Sequence, residues 1–350
     1  MAASRDLRVF GAFANFTNNG TLNLAAGGII DSPLTNNGLI NWSGGTLTGT
    51  GTITNSSTGT IAASIAGSDR LSCNLNNAGT ITYTGASQWD TGGGTFTNSG
   101  AININAGYWV MEHTFNNTGT INLSAGRTIY FNGTTNLNAG TTFAGTGQIY
   151  QQTGTVTQNF RGPIPPITWI KQGGTWNNTA GNPTVLASGS AFTWQTGTIG
   201  GAGGYAIDAG LTVSLSTTGT KTLNSTLTNN GTINWSGGVI NGGGTIQNST
   251  SSILNISFFG NYYLQIALTN AGTLNYTGNG QWTTWASAPA LTNSGTLNIS
   301  TDYWVFEGTL NNSGTINLNA GRTVYFNGTT NLNAGDHVRR CRTIINRAAP

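Results

Sequence analysis

Apolar positions along this chain return in short alternating clusters, not in helical register. A motif of the form [FLI]-x-N-x-G-x-[IL]-x-[apolar] begins at Phe16, Leu34, Leu75, Phe96 and Phe115, and again at Leu227, Leu268, Leu291 and Leu310. Degenerate versions begin at Ile53 and Ile246, so successive starts fall 18 to 23 residues apart. The intervening runs are rich in Thr, Ile, Val, Trp and Tyr and alternate with period two, as in Ile40-Asn41-Trp42 and Ile121-Asn122-Leu123, which predicts short β-strands. Capped stretches with helical period are absent, and 53 glycines would cost helices dearly. A recurrence near twenty residues marks a solenoid, and the Leu-rich consensus of a leucine-rich repeat is missing. The pattern predicts an all-β parallel β-helix, each turn laying down two or three strands that pair with their equivalents one turn away. An antiparallel sandwich with N-x-G hairpins is the alternative, but it gives no reason for a motif every twenty residues.

Each motif position then has a physical task. Leu34, Leu75, Phe96 and Phe115 are expected to share one interior row at the strand spacing of about 4.8 Å. The motif Asn suits a corner and stacks into amide ladders, and the Gly suits φ values that other residues avoid. About 16 or 17 turns fit before residue 336, a rod of about 75 to 80 Å.

A longer repeat overlies the short one. Leu34 to Gly140 and Leu227 to Gly335 begin LTNNG and end YFNGTTNLNAG. The expected organisation is an irregular start at 1–15, a β-helix segment at 16–147, a seam at 148–190, a second β-helix segment at 191–335 and a tail at 336–350. Pro163, Pro165 and Pro166 define the seam, because proline cannot donate to a sheet ladder. In the tail, the first copy's TTFAGTGQ is replaced by DHVRRCRT. Degenerate codons for DHVRRCRT, read one base along, spell TTFAGAGQ, so the tail reads as a frameshift product with no expected role in stability or function. The chain is correspondingly expected to be a fragment of a larger protein.

Charge changes the picture little. The formal net charge is +3, but the tail holds Arg339, Arg340, Arg342 and Arg347 against Asp336, leaving the rest balanced. No basic stripe remains for a phosphate backbone, so no nucleic-acid partner is expected. Charged residues make up 6%, against roughly 25% in ordinary domains, yet 37% of residues are hydrophobic and ten are Trp, which favours folding over disorder. Outside the tail Cys73 stands alone, so neither a disulfide framework nor a metal knuckle is expected, and no cofactor is implied. No run reaches the length of a membrane span, and the start lacks a secretion core. Any export signal is expected to lie outside this sequence.

The chemistry on offer is sparse. Asp6, Asp31, Asp69, Asp90, Glu112, Asp208, Asp302 and Glu307 scatter over many turns, and only Glu112 and Glu307 correspond between the long copies. No catalytic residue is therefore nominated, and no enzymatic activity is expected. Counting from motif starts sets Arg127 over Tyr108 and Arg322 over Tyr303, a structural stacking role. Trp42 and Trp235 share parity with inward Ile and are expected in the core. The segments GYWVMEH and DYWVFEG are apolar on both parities. Trp109, Met111 and Tyr130, with Trp304, Phe306 and Tyr325 in the second copy, are the candidate ligand-binding face. The ligand would be a glycan or a cell-surface partner. A face covered by a neighbouring loop is the alternative reading.

With its period, its N-x-G-T-[IL]-N corner and its Asn/Gly/Thr composition, the chain resembles the haemagglutinin-like and autotransporter-passenger β-helix repeats of large bacterial surface proteins. That resemblance implies an exported or surface-displayed stalk that mediates adhesion or spaces other domains from the cell. A polysaccharide-binding or polysaccharide-degrading β-helix is the alternative. An ice-binding array, suggested by TLTGTGTIT at Thr46 to Thr54, is a weaker one.

Overall fold

The structure is a computed structural model. It describes the chain except residues 1–6, 10–14, 66–69, 87, 160–162, 165–166, 258–264, 279–289, 301–302, 320, 333–336, 340–342 and 347–350. The backbone alone is described at 7–9, 163–164, 303, 337–339 and 343–346. The alternating runs form strands of two to five residues that pair in parallel, giving a succession of short faces around an apolar interior. The result is a parallel β-helix of about 14 turns of roughly 20 residues, with no helix among the described residues. That is fewer turns than 16 or 17, because corner loops take up residues that a fixed period would count as further turns. Register shows the variation: Leu22 pairs with Ile40, 18 residues on, whereas Ile199 pairs with Leu223, 24 residues on.

Two compact units are distinguished: Met1–Arg161 with Pro165–Ile170, and Gly162–Ile164 with Lys171–Pro350. In the first unit each turn contributes three strands, as in Thr95–Asn98, Ala101–Ile104 and Tyr108–Met111. Leu34, Ile53, Leu75, Phe96 and Phe115 are consecutive register partners and form the expected interior row. Alternate residues point inward, so strands such as Thr80–Tyr83 bury Ile81 and Tyr83 while Thr80 and Thr82 stay half-exposed. Trp42 and Trp235 are core residues, as their parity implied.

Buried amides interrupt this apolar interior. Asn18, Asn36, Asn55, Asn77, Asn98 and Asn117 lie in register, each donating its Nδ2 to the Oδ1 of the next at 2.6 to 2.7 Å. The second unit repeats the ladder through Asn229, Asn248, Asn270, Asn293 and Asn312. Each amide also bonds corner backbone: Asn77 reaches the carbonyls of Gly79 and Ala101, at 3.2 and 3.3 Å. Full pairing is what lets such groups be buried without the penalty of an orphaned amide.

The motif glycine has a different task from the one expected. Gly79 and Gly100 do not adopt positive φ. Instead the turn below passes so close that a Cβ on Gly100 would collide with the carbonyl oxygen of Gly79. Absence of a side chain, not backbone freedom, is the requirement. The tail continues the parallel ladders. The backbones of His337–Arg339 and Thr343–Asn346 pair with Thr315–Leu318 and Thr323–Phe326, because parallel pairing uses main-chain groups that a changed sequence still supplies.

Candidate functional site

The strand Tyr108–Met111 carries apolar residues on both faces, and register decides which face is inside. Trp109 pairs with Trp89 and Ile129, and Met111 with Thr91 and Phe131. This column is interior: Trp109 is 0% and Met111 1% exposed, and the Trp89 and Trp109 rings stack with centroids 3.9 Å apart. The other column, on the opposite side of the sheet, runs Asp90, Val110, Tyr130, Tyr150; Asp90 and Val110 are buried there and the two tyrosines are half-buried. In the second copy Trp304 pairs with Val324 and Phe306 with Phe326, both buried, while Tyr325 pairs with Val305.

The predicted six-residue face is therefore not formed. Trp109, Met111, Trp304 and Phe306 are core residues, and Tyr130 and Tyr325 lie half-buried on the opposite side of their sheets. Counting from motif starts placed Tyr130 one residue out of register, which reversed its face. The same slip separates Arg127 from Tyr108, whose partner is Thr128.

What the outward side does assemble is a tyrosine cluster with a polar edge. Tyr108 is 38% exposed and meets Tyr130 edge-on, with centroids 5.7 Å apart and an interplanar angle of 71°. Tyr130 meets Tyr150 at 5.1 Å and 30°. Burial, followed by the neighbouring Tyr150 and Tyr108, holds the Tyr130 phenol above its ordinary value. The Tyr108 hydroxyl donates to Gln88 Oε1 at 2.9 Å. Gln88 Nε2 in turn donates to Asp90 Oδ1, and Arg70 pairs with Asp90 at 3.5 Å. Asp90 is 4% exposed, so this carboxylate is a fixed acceptor with its charge balanced beside it. The sequence signal was present in the spacing of Tyr108, Tyr130 and Tyr150, one per turn.

The reactive groups elsewhere are embedded in structure. Burial pushes the Cys73 thiol up to about 12, which leaves it protonated and inert. Lys171 and Lys221 are fully buried, and burial lowers their ammonium groups to about 7 and about 8. Lys171 Nζ donates to the carbonyls of Gly173 and Gly174 at 2.6 and 2.9 Å. Lys221 Nζ donates to the carbonyls of Thr217 and Gly219, both at 3.0 Å. Sequence reasoning passed over both lysines, although Lys171-Gln172-Gly173-Gly174 matches Trp42-Ser43-Gly44-Gly45 in spacing. Among the described residues no group of three or more His, Cys, Asp or Glu is placed to hold a metal ion. No helix is long and apolar enough to cross a membrane among them. The threonine run at Thr46 to Thr54 turns a corner at Gly49, whose φ is 116°, so its strands Leu47–Thr48 and Thr52–Asn55 lie in different ladders and present no single flat array.

The fold thus defines a member of the parallel β-solenoid class. Comparison with family models, with curated proteins and with solved structures returns no match to this chain.

Proposed function

We propose that this chain is a structural and adhesive β-solenoid segment, displayed outside the cell as part of a longer surface protein, and that it performs no catalysis. The observation carrying this reading is the amide ladder, a buried device repeated from turn to turn that stiffens a solenoid and supplies no reactive group. Its surroundings agree. The described carboxylates Asp31, Asp90, Glu112, Asp208 and Glu307 belong to separate turns, and among the described residues no three acidic, His or Cys side chains are grouped. The resemblance to haemagglutinin-like and autotransporter-passenger repeats points to the same use.

The test is a paired assay of the purified chain against bacterial and host cell surfaces and against soluble polysaccharides. Retention on a surface, with no new reducing ends released from pectin, alginate or neutral glycans, is the expected result. Release of oligosaccharides that Glu112→Gln abolishes would replace this reading with an enzymatic one.

A further inference from the structure

We propose that the outward face built by Gln88–Thr91, Tyr108–Met111, Thr128–Phe131 and Gln148–Gln151 binds an uncharged polysaccharide. The proposal rests on the adhesive reading and names its ligand class. Three observations carry it.

The first is the presence of aromatic rings where the core does not need them. Interior positions of these strands are filled by Trp89, Trp109, Ile129 and Ile149, in register and buried. Tyr108, Tyr130 and Tyr150 stand on the other side, one on each of three successive turns, and touch each other in sequence. Turns advance by about 4.8 Å, close to the advance of one sugar ring along an extended glycan. A chain laid across the turns would meet a ring at each step.

The second is the directional chemistry at one end of the cluster. Sugar rings combine an apolar face with hydroxyls around the edge, so a site needs flat apolar groups together with fixed donors and acceptors. The chain of bonds from Tyr108 through Gln88 to Asp90, closed by Arg70, supplies both kinds. Asp90 is nearly inaccessible, which holds Gln88 and Arg70 in place; Arg70 is half-exposed and has donors to spare.

The third is charge. Asp90 is balanced by Arg70 within the face, and Glu112 and Arg127 on the flanking corners are of opposite sign. A polyanion such as alginate or polygalacturonate finds no excess of positive charge, whereas a neutral glycan loses nothing on approach. The second long copy repeats Tyr303 and Tyr325 in sequence, but register puts Ile345 after Tyr325 where Tyr150 follows Tyr130. The complete face belongs to the first unit.

Affinity electrophoresis of the full chain through gels containing hydroxyethylcellulose, galactomannan, xyloglucan or polygalacturonate tests the idea. Retardation is expected with at least one neutral polymer and not with polygalacturonate. The triple variant Tyr108→Thr, Tyr130→Thr, Tyr150→Thr keeps strand-compatible residues, and should weaken that binding at least tenfold while leaving the Trp emission of the folded chain unchanged. Tyr130→Phe should retain binding, since ring stacking and not the hydroxyl is invoked there. The outcomes separate the two readings. If the wild-type chain still adheres to cells but ignores every neutral polymer, or if the triple variant binds as well as wild type, the site fails and the adhesive reading stands. Binding to polygalacturonate alone overturns the charge argument and with it the proposal. A shift from dimer to monomer in the triple variant by analytical ultracentrifugation, with no glycan binding, would make the face a contact between copies of this chain and overturn the proposal as well.

Discussion

In the first unit the strand Leu39–Trp42 ends on Trp42, whose indole N–H reaches the carbonyls of Gly44 and Gly45, at 3.2 and 2.8 Å. In the second unit Trp194 and Trp235 close the same kind of corner on Thr196 and Gly197 and on Gly237 and Gly238. At Lys171 an ammonium takes the place of the indole and meets Gly173 and Gly174. The corner therefore requires a donor at the end of a long side chain and is indifferent to whether that donor is aromatic. Trp89 and Trp109, in the middle of their strands, have no corner within reach. Their Nε1 atoms are buried without a hydrogen-bond partner, and stacking is what holds them. Charge is where the units part. The chain has two lysines, Lys171 and Lys221, and both are buried in the second unit.

The largest effect should come from a position the units share. Gly100→Ala in the first unit and Gly295→Ala in the second each drive a methyl into main chain of the turn below. Each should cost about 4 kcal/mol or more, measured by urea unfolding. A mild loss at one and not the other would show that the two units are packed to different tolerances.

Ladder position should matter next. Asn77→Leu leaves the Asn55 and Asn98 amides without their mutual partner and is expected to cost about 3 kcal/mol. Asn117→Leu should cost less than half of that. Its register partner in the next turn is already Leu137, and Thr141 Oγ1 accepts its Nδ2 at 3.1 Å. Equal losses would mean that the ladder acts as separate bonds and not as a chain.

A third effect separates the units by pH. In the unfolded chain Lys171 and Lys221 keep their protons to about pH 10.4, whereas the folded second unit releases them at about 7 and about 8. Between those values the unfolded state binds more protons, so the stability of the second unit rises as pH climbs from about 7 towards 10 and is flat below 7. The gain is read as a rise in the urea midpoint of the second unit across that window. Lys171→Met and Lys221→Met together should flatten it. Above that range Tyr205, whose phenol burial holds well above its ordinary value, works in the opposite direction.

The smallest effect is a reporter and costs no stability. In a Cys341→Ser background, Cys73 should resist iodoacetamide at pH 8 while the first unit is folded and react once it opens, because burial keeps its thiol protonated to about 12. Labelling that followed the pH profile of the lysines would show that the units unfold together and would erase the distinction between them.

Much of this molecule was legible in its order of residues. Motif spacing gave the solenoid, period-two alternation gave the inward positions of strands such as Thr80–Tyr83, and the recurrent Asn gave the ladder. These succeed because they depend on local geometry repeated every turn. The candidate site was not legible in the same way. In Tyr108–Met111 both parities are apolar, so alternation cannot choose an interior, and a shift of one residue exchanges the faces. Only pairing with Trp89 and with Ile129 turned Trp109 inward and left Tyr130 outside. The motif glycine and the two lysines teach the same lesson. Composition determined that such residues exist, while the close approach of one turn to the next decided that Gly100 must lack a side chain. The free carbonyls of a corner decided that a lysine could be held in the core.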